Sequence, residues 1–164
     1  MCTPEVVSYW VKQKIKELYR QGKSIVMAGS PRTLFEAKDQ LPILKRLFGL
    51  QNIKAVLIEI SPQETIWRNS HRRICELVRH PILYTPETKK LKICPIDGSK
   101  LVKREGLDTP QTIKIRIKEY QERTFPVIEY IQQQGVKVNI VNGAQPVKDV
   151  FEDILKVLSL KTKR

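Results

Sequence analysis

The sequence predicts an α/β fold, a three-layer arrangement of a parallel sheet flanked by helices, with one small inserted subdomain. Three observations predict it. Short continuous apolar runs at 24–28, 54–60 and 136–141 read as strands, and stretches of helical periodicity separate them. Strands alternating with helices close into a parallel sheet through right-handed crossovers. Between the second and third runs, residues 75–108 lose periodicity and carry Pro81, Pro86, Pro95, Gly98 and Gly106, which mark turns between short β-like pieces. The expected organisation is a core of 1–74 and 109–164 interrupted by an insert at 75–108. With 164 residues and 41% hydrophobic content, the chain can build one such core and needs no second domain.

Each element follows from local chemistry. Thr3-Pro4-Glu5 starts a helix, with Thr3 as N-cap and Pro4 in the first turn, and Val7, Val11, Ile15 and Leu18 share one face until Gly22. Leu34 to Phe48 is a second helix with Ala37, Leu41, Leu44 and Leu47 inward, Pro42 within it and Gly49 closing it. Lys54 to Ile60 is rich enough in branched residues for a strand buried on both faces. Ser61-Pro62-Gln63-Glu64 combines an N-cap, a first-turn proline and a capping-box glutamate before a third helix. Asp108-Thr109-Pro110 opens the longest helix, which runs to about Gln133 with a bend at Pro126 and ends at Gly135. Val136 to Val141 is the last strand. Pro146 to Leu160 is the last helix, with Val147, Val150, Phe151, Ile154 and Leu158 as its core stripe, and Trp10 and Trp67 are expected to pack inside.

Composition bounds the function classes. Thirty Lys and Arg against 17 Asp and Glu give a net charge of +13, which attracts polyanions, so nucleic acid stays open as a partner. The cations are spread along the chain, and the Lys161-Thr162-Lys163-Arg164 tail is expected to be solvated. Three cysteines, an odd number, argue against a disulfide scaffold and leave metal ligation or free thiols. No apolar run approaches the roughly 20 residues that span a bilayer, and Met1-Cys2-Thr3-Pro4-Glu5 lacks a secretory pattern, so no membrane association and a cytoplasmic location are expected.

The sharpest local signal is Ile25 to Thr33, an apolar run that ends in Gly29-Ser30-Pro31-Arg32 and enters a helix. It puts a guanidinium beside a glycine turn at the carboxyl end of a strand, where open α/β sheets bind ligands, and points to an anion. Arg68, Arg72 and Arg73 follow the second strand, Arg104 ends the insert, and Thr112-Ile113-Lys114-Ile115-Arg116 lies in a helix. Taken one at a time, such arginines are most often solvated or salt-bridged; their order along the chain carries the signal. In the insert, Cys75 and Cys94 leave metal ligation open. The bland alternative is a pair of free thiols in a polar loop. His71 is expected on the surface, and no Ser/His/Asp order emerges.

Taken together, G-S-P-R-T, R-N-S-H-R-R-I-C, C-P-I-D-G, R-E-G-L-D and T-I-K-I-R-I-K-E-Y-Q-E-R-T-F-P resemble adenylate kinase of the bacterial type with a metal-binding lid, over nearly the whole chain. The resemblance implies a P-loop nucleoside monophosphate kinase-like fold and reversible phosphoryl transfer from Mg-ATP to AMP, giving two ADP. Phosphoryl transfer asks for positioning and charge compensation, which converging arginines supply. By resemblance, Arg32, Arg72, Arg104 and Arg116 are catalytic. Cys2, Gly29, Ser30, Pro31, Arg32, Glu36, Arg104 and Arg116 would meet AMP. Arg68, Arg72, Leu83, Tyr84 and Gln145 would meet ATP, and Cys75, His80, Cys94 and Asp97 would hold a structural zinc.

The chain departs from that pattern in places. Ala28 stands where a carboxylate of the magnesium shell is usual, and Glu36 where a glutamine reads the adenine of AMP, which a carboxylate cannot match as a donor. No G-x-x-x-x-G-K-[S/T] loop occurs, and the strand, loop and helix that carry it in the family are expected to be missing, with Met1 and Cys2 aligning to the end of an AMP-binding strand. The expectation is therefore an incomplete or weakly active kinase chain, monomeric unless a second chain supplies the loop. A catalytically inactive nucleotide- or nucleic-acid-binding relative is the alternative.

Overall fold

The computed structural model describes residues 3–159. The expectations that fall on Cys2, Leu160 and the Lys161-Thr162-Lys163-Arg164 tail lie outside the described residues. The chain divides into two compact units, one formed by the residues up to Glu59 with those from Glu119 on, the other by Ile60–Lys118.

The first unit is α/β. Helix α1 (Pro4–Arg20) packs against α2 (Leu34–Phe48), and α2 packs against α5 (Phe125–Gln133). Thr3 takes the extended N-cap conformation without a side-chain capping bond, Pro4 stands in the first turn of α1, and Gly22 follows its end in the left-handed region. On α2 the Thr33 hydroxyl accepts the Glu36 N–H at 3.3 Å, and the helix runs through Pro42 to Gly49, whose φ of +78° no branched residue would tolerate. Ile15, Ala37, Leu41, Val127, Val136 and Val141 are buried in this unit. Strand β1 (Ala55–Glu59) pairs in parallel with β5 (Val138–Asn142), from Ala55 opposite Val138 to Glu59 opposite Asn142. Helix α6 (Val147–Leu158) packs on β5. The parallel sheet with flanking helices is the fold class the sequence predicts.

Several expectations need correction. Residues 24–28 lie outside any strand, and Val26 is almost fully exposed. An apolar run becomes a strand only when a neighbour takes its N–H and C=O groups, and among the described residues none does. Strand β1 is not buried on both faces, since Ile58 is half exposed and Glu59 exposed in a sheet of two strands. The stripe of α6 is only partly inward: the helix packs on β5, and Val147 and Phe151 are exposed. Trp10 and Trp67 are also exposed instead of packed. The long helix expected from 110 to 133 is three segments, α4 (Pro110–Glu119), a π-helical turn at Tyr120–Thr124, and α5. Pro126 has no N–H to donate to residue 122 and its ring crowds that carbonyl, so the α-helical ladder is interrupted just before it.

The second unit opens with α3 (Pro62–His71), capped by the Ser61 hydroxyl, which accepts the Glu64 N–H at 3.1 Å. Three short strands follow, β2 (Arg73–Cys75), β3 (Pro81–Ile82) and β4 (Leu101–Val102), in an antiparallel sheet with β2 in the centre. Cys75, Ile82 and Cys94 form its core, with Leu101 against them. No helix among the described residues is long and apolar enough to cross a membrane.

Candidate functional site

In the first unit, the Gly29–Arg32 loop is organised from beneath. Gly29 has φ +86°, and a Cβ there would lie 2.9 Å from the Arg32 guanidinium, so glycine is what lets that side chain fold over the turn. The Glu36 carboxylate accepts the Arg32 backbone N–H at 2.5 Å. Glu36 thus ties the start of α2 to the residue before its Thr33 N-cap, one position beyond the N–H that a capping box takes, and it is buried. The Ser30 hydroxyl accepts from Gln40 Nε2 at 3.1 Å, and the same amide donates to Ser8 Oγ at 3.3 Å. Ser8 donates to Asp39 at 2.7 Å, and Lys12 pairs with Asp39 at 2.7 Å. The Lys12 and Ser8 hydrogen bonds hold the Asp39 carboxyl below its usual range. This chain of contacts ties α1, α2 and the loop together through Ser8 and Gln40, both almost fully buried. At the carboxyl end of β5, Gln145 Nε2 donates to the Asn142 carbonyl at 3.0 Å and to Asp153 at 2.9 Å, which fixes the turn into α6.

The second unit holds a cleft of about 710 Å³. Arg72, Arg73, Lys89, Lys103 and Arg104 line it against only Glu105 and Asp108, so its field favours anions. Arg72 and Arg104 converge there on one carboxylate. Arg72 donates through Nη2 to Asp108 Oδ1 at 2.7 Å and through Nε to Oδ2 at 3.3 Å, while Arg104 Nη1 stands 3.8 Å from Oδ1. The Asp108 side chain is only 5% exposed, so it acts as a buried post that aims two guanidinium groups. Sequence reasoning placed Asp108 only at a helix start. The signal that could have found it is an acid four residues after Arg104 in an otherwise basic stretch.

Tyr84 also lines the cleft, whereas Arg68, Leu83 and Arg116 are not among its lining residues. Arg68 Nε pairs with Glu64 at 2.6 Å, Leu83 is part exposed, and Arg116 is exposed on α4. Arg73 spans to the 85–91 loop, donating to the carbonyls of Thr88, at 2.6 Å, and Leu91.

Below the cleft-lining residues in sequence order, two turns bring four donors together. Cys75 N–H donates to the His80 carbonyl at 3.1 Å, and His80 N–H donates to Cys75 Sγ at 3.1 Å. In the second turn, Cys94 N–H donates to the Ser99 carbonyl at 2.7 Å. Cys75 Sγ lies 3.0 Å from Asp97 Oδ2, His80 Nδ1 3.2 Å from the same oxygen, and Cys94 Sγ 3.7 Å from His80 Nδ1. The four ligand atoms lie within 4.8 Å of one another. Tetrahedral zinc with sulfur bonds near 2.3 Å needs ligand edges of about 3.8 Å, so two thiols, an imidazole and a carboxylate at these separations fit it. The Cys75 thiol and the Ser99 hydroxyl and N–H, as donors to Asp97, hold its carboxyl well below the usual range, in the anionic form a metal requires. Val78 is exposed, and His80 stands in the cluster.

No protein-family model matches the chain. Individual curated proteins do. The adenylate kinase of Petrotoga mobilis is 33% identical over 159 residues, 96% of this chain and 71% of that protein. The adenylate kinase of Staphylococcus aureus strain Mu50 is 34% identical over 158 residues, 94% of this chain and 70% of that protein. For the adenylate kinase of Staphylococcus epidermidis the values are 33% over 157 residues, 94% and 70%.

Proposed function

The chain belongs to the adenylate kinase family, and from that premise we propose that it is a nucleoside monophosphate kinase that moves the terminal phosphoryl of Mg-ATP to AMP. The observation that carries this reading is the pair Arg72 and Arg104 aimed by one buried Asp108 at the rim of a basic cleft. Charge that develops on a transferring phosphoryl is stabilised best by donors already fixed in place; the carboxylate fixes Arg72 by two hydrogen bonds and draws Arg104 toward it by charge.

In this reading Arg72, Arg104 and Arg116 meet the transferred phosphoryl, and Arg68, Leu83, Tyr84 and Gln145 serve ATP. Gly29, Ser30 and Pro31 shape the turn from which Arg32 binds the AMP phosphate. Glu36 positions Arg32 through its backbone N–H and does not read the base, which leaves the acceptor base less tightly selected. Residues 75–108 act as a lid that excludes water during transfer. Zinc, held by Cys75, His80, Cys94 and Asp97, supplies a structural cross-link inside that lid and takes no part in the chemistry.

The 164 residues contain no G-x-x-x-x-G-K-[S/T] loop, whose amides and lysine cradle nucleotide phosphates. The proposal therefore predicts that this chain by itself binds ATP and AMP but turns over weakly. Equilibrium dialysis of both nucleotides, run beside a coupled ADP-formation assay, tests it. Binding of both with slow turnover is expected, while absence of nucleotide binding at millimolar concentration would overturn the reading. The net charge of +13 favours the alternative of an inactive polyanion binder. In that case single-stranded RNA, and not AMP, binds with a steep salt slope.

A further inference from the structure

Two turns of the second unit carry apolar side chains into solvent. One runs from Cys75 to Arg79, whose N–H donates to the Cys75 carbonyl at 3.1 Å; the other runs from Cys94 to Gly98, whose N–H donates to the Cys94 carbonyl at 2.9 Å. They stand side by side. Cys75 Sγ lies 3.0 Å from Asp97 Oδ2, and the N–H groups of Glu76 and Leu77 donate to the Lys100 carbonyl at 2.9 Å and to Ser99 Oγ at 3.4 Å. At the crests Leu77 is 71% and Ile96 72% exposed, with Val78 and Ile93 more than half exposed beside them. Turn chemistry asks for Gly, Pro, Asn, Asp or Ser at such places. Four aliphatic side chains held there form a patch that the turns themselves do not require, and patches of that kind mark interaction surfaces.

The surroundings of the patch select its occupant. Arg79 closes the first turn, and Lys92 and Lys100 flank the second; all three are exposed, whereas Glu76 is the one exposed acid within 75–80 and 92–100. Its side chains are aliphatic, so they offer no ring on which a nucleic-acid base could stack. A second copy of the chain would bring +13 against +13. Projecting aliphatic crests ringed by cations instead match the boundary of an anionic bilayer, where apolar tips enter between headgroups and ammonium and guanidinium groups meet the lipid phosphates. We infer that the paired crests around Leu77 and Ile96 seat this unit on an anionic membrane surface. The contact is peripheral and needs no spanning helix, so it revises the expectation of no membrane association, which rested on the lack of a spanning run. It is independent of the kinase reading.

The test mixes the full chain with vesicles of phosphatidylcholine alone, or of phosphatidylcholine and phosphatidylglycerol in equal amounts, and reads the bound fraction by cosedimentation. Binding to the anionic vesicles and not to the neutral ones is expected. Leu77→Ser with Ile96→Ser changes no charge, and is expected to weaken anionic-vesicle binding by about 10- to 100-fold, the range for two aliphatic side chains kept in water. Leu77→Phe with Ile96→Phe is expected to strengthen it several-fold, an outcome that damage to the fold would not produce. Melting temperatures of both pairs stay with the parent, as exposed positions dictate. Absence of binding to anionic vesicles overturns the inference. So does unchanged affinity in the serine pair, which would mean that net charge alone attracts the lipid. Should the serine pair melt lower, the phenylalanine pair decides, and no gain there overturns it. An equal loss of single-stranded RNA binding in the serine pair, or the loss of a dimer that the parent forms in sedimentation equilibrium, reassigns the crests to another partner and also overturns it. ATP binding, measured separately, decides the kinase reading whatever the vesicles show.

Discussion

Glu36 shows how one side chain changes role when its surroundings are known. From sequence it is the wrong residue to read an adenine; in the fold its carboxylate accepts the Arg32 N–H at 2.5 Å while its own N–H goes to Thr33 Oγ1. Glu36→Gln keeps an acceptor oxygen at that place, whereas Glu36→Ala leaves the N–H of Arg32 without its acceptor. Alanine is expected to cost about 1–2 kcal/mol, in the range of a lost helix cap, and glutamine less than half of that. Urea unfolding midpoints of the two variants check it, and equal losses would reject that role. Thr33-x-x-Glu36 has capping-box spacing, so a role at the helix start was legible, but the bond goes to Arg32, one residue before the N-cap, which the spacing does not show. Asp108 was harder, because a carboxylate that aims two arginines is defined by partners 36 and four residues away.

At the scale of elements, helix ends and two of the three expected strands were legible, whereas the strand expected at 24–28 and the continuity of the helix expected from 110 to 133 were not. Caps and glycine stops are local chemistry, so α2 runs between Thr33 and Gly49 as its sequence dictates. A strand is a property of its neighbours, and residues 24–28 show this by lying outside any strand. The contact between α1 and α2 has a polar component that periodicity also hides, the line from Lys12 through Asp39 and Ser8 to Gln40. It gives the pair of helices a pH dependence. The Asp39 carboxyl titrates lower in the fold than in the open chain, where it sits near 3.9. A lowered folded value means stabilisation that is present above the unfolded value and is lost as pH falls through the folded one. Melting temperatures of the parent and Asp39→Asn are therefore expected to differ most between pH 5 and 7 and to draw together only as pH falls below the open-chain value and through the lower folded one. A gap that does not narrow at all as pH falls below the open-chain value would show that the charge of Asp39 is not what joins the helices.

On the scale of the whole molecule, the two units differ in what can stabilise them. The unit at Ile60–Lys118 builds its sheet from strands of two and three residues around Cys75, Ile82 and Cys94. A core of that size falls short of what an assembly below about 70–80 residues needs, and small units of this kind are completed by disulfides or metals. Its two cysteines are free thiols beside an imidazole and a carboxylate, so the missing stabilisation is expected from zinc. The purified chain should then carry about one zinc per molecule by elemental analysis. Removing it with a chelator should lower the melting temperature of this unit by several degrees, since a loss of about 1 kcal/mol shifts a domain of roughly 60 residues by about 4–8 °C. Cys94→Ser should lower metal content and melting temperature together, and added zinc should restore the parent and not the variant. Cys94 packs in the core as well as facing the cluster, so a fall in melting temperature alone would not distinguish a lost ligand from a lost contact. His80→Ala separates them: it removes a ligand that is one-third exposed and buries nothing polar. If His80→Ala keeps its zinc and its melting temperature, the tetrahedral Cys2-His-Asp site is wrong.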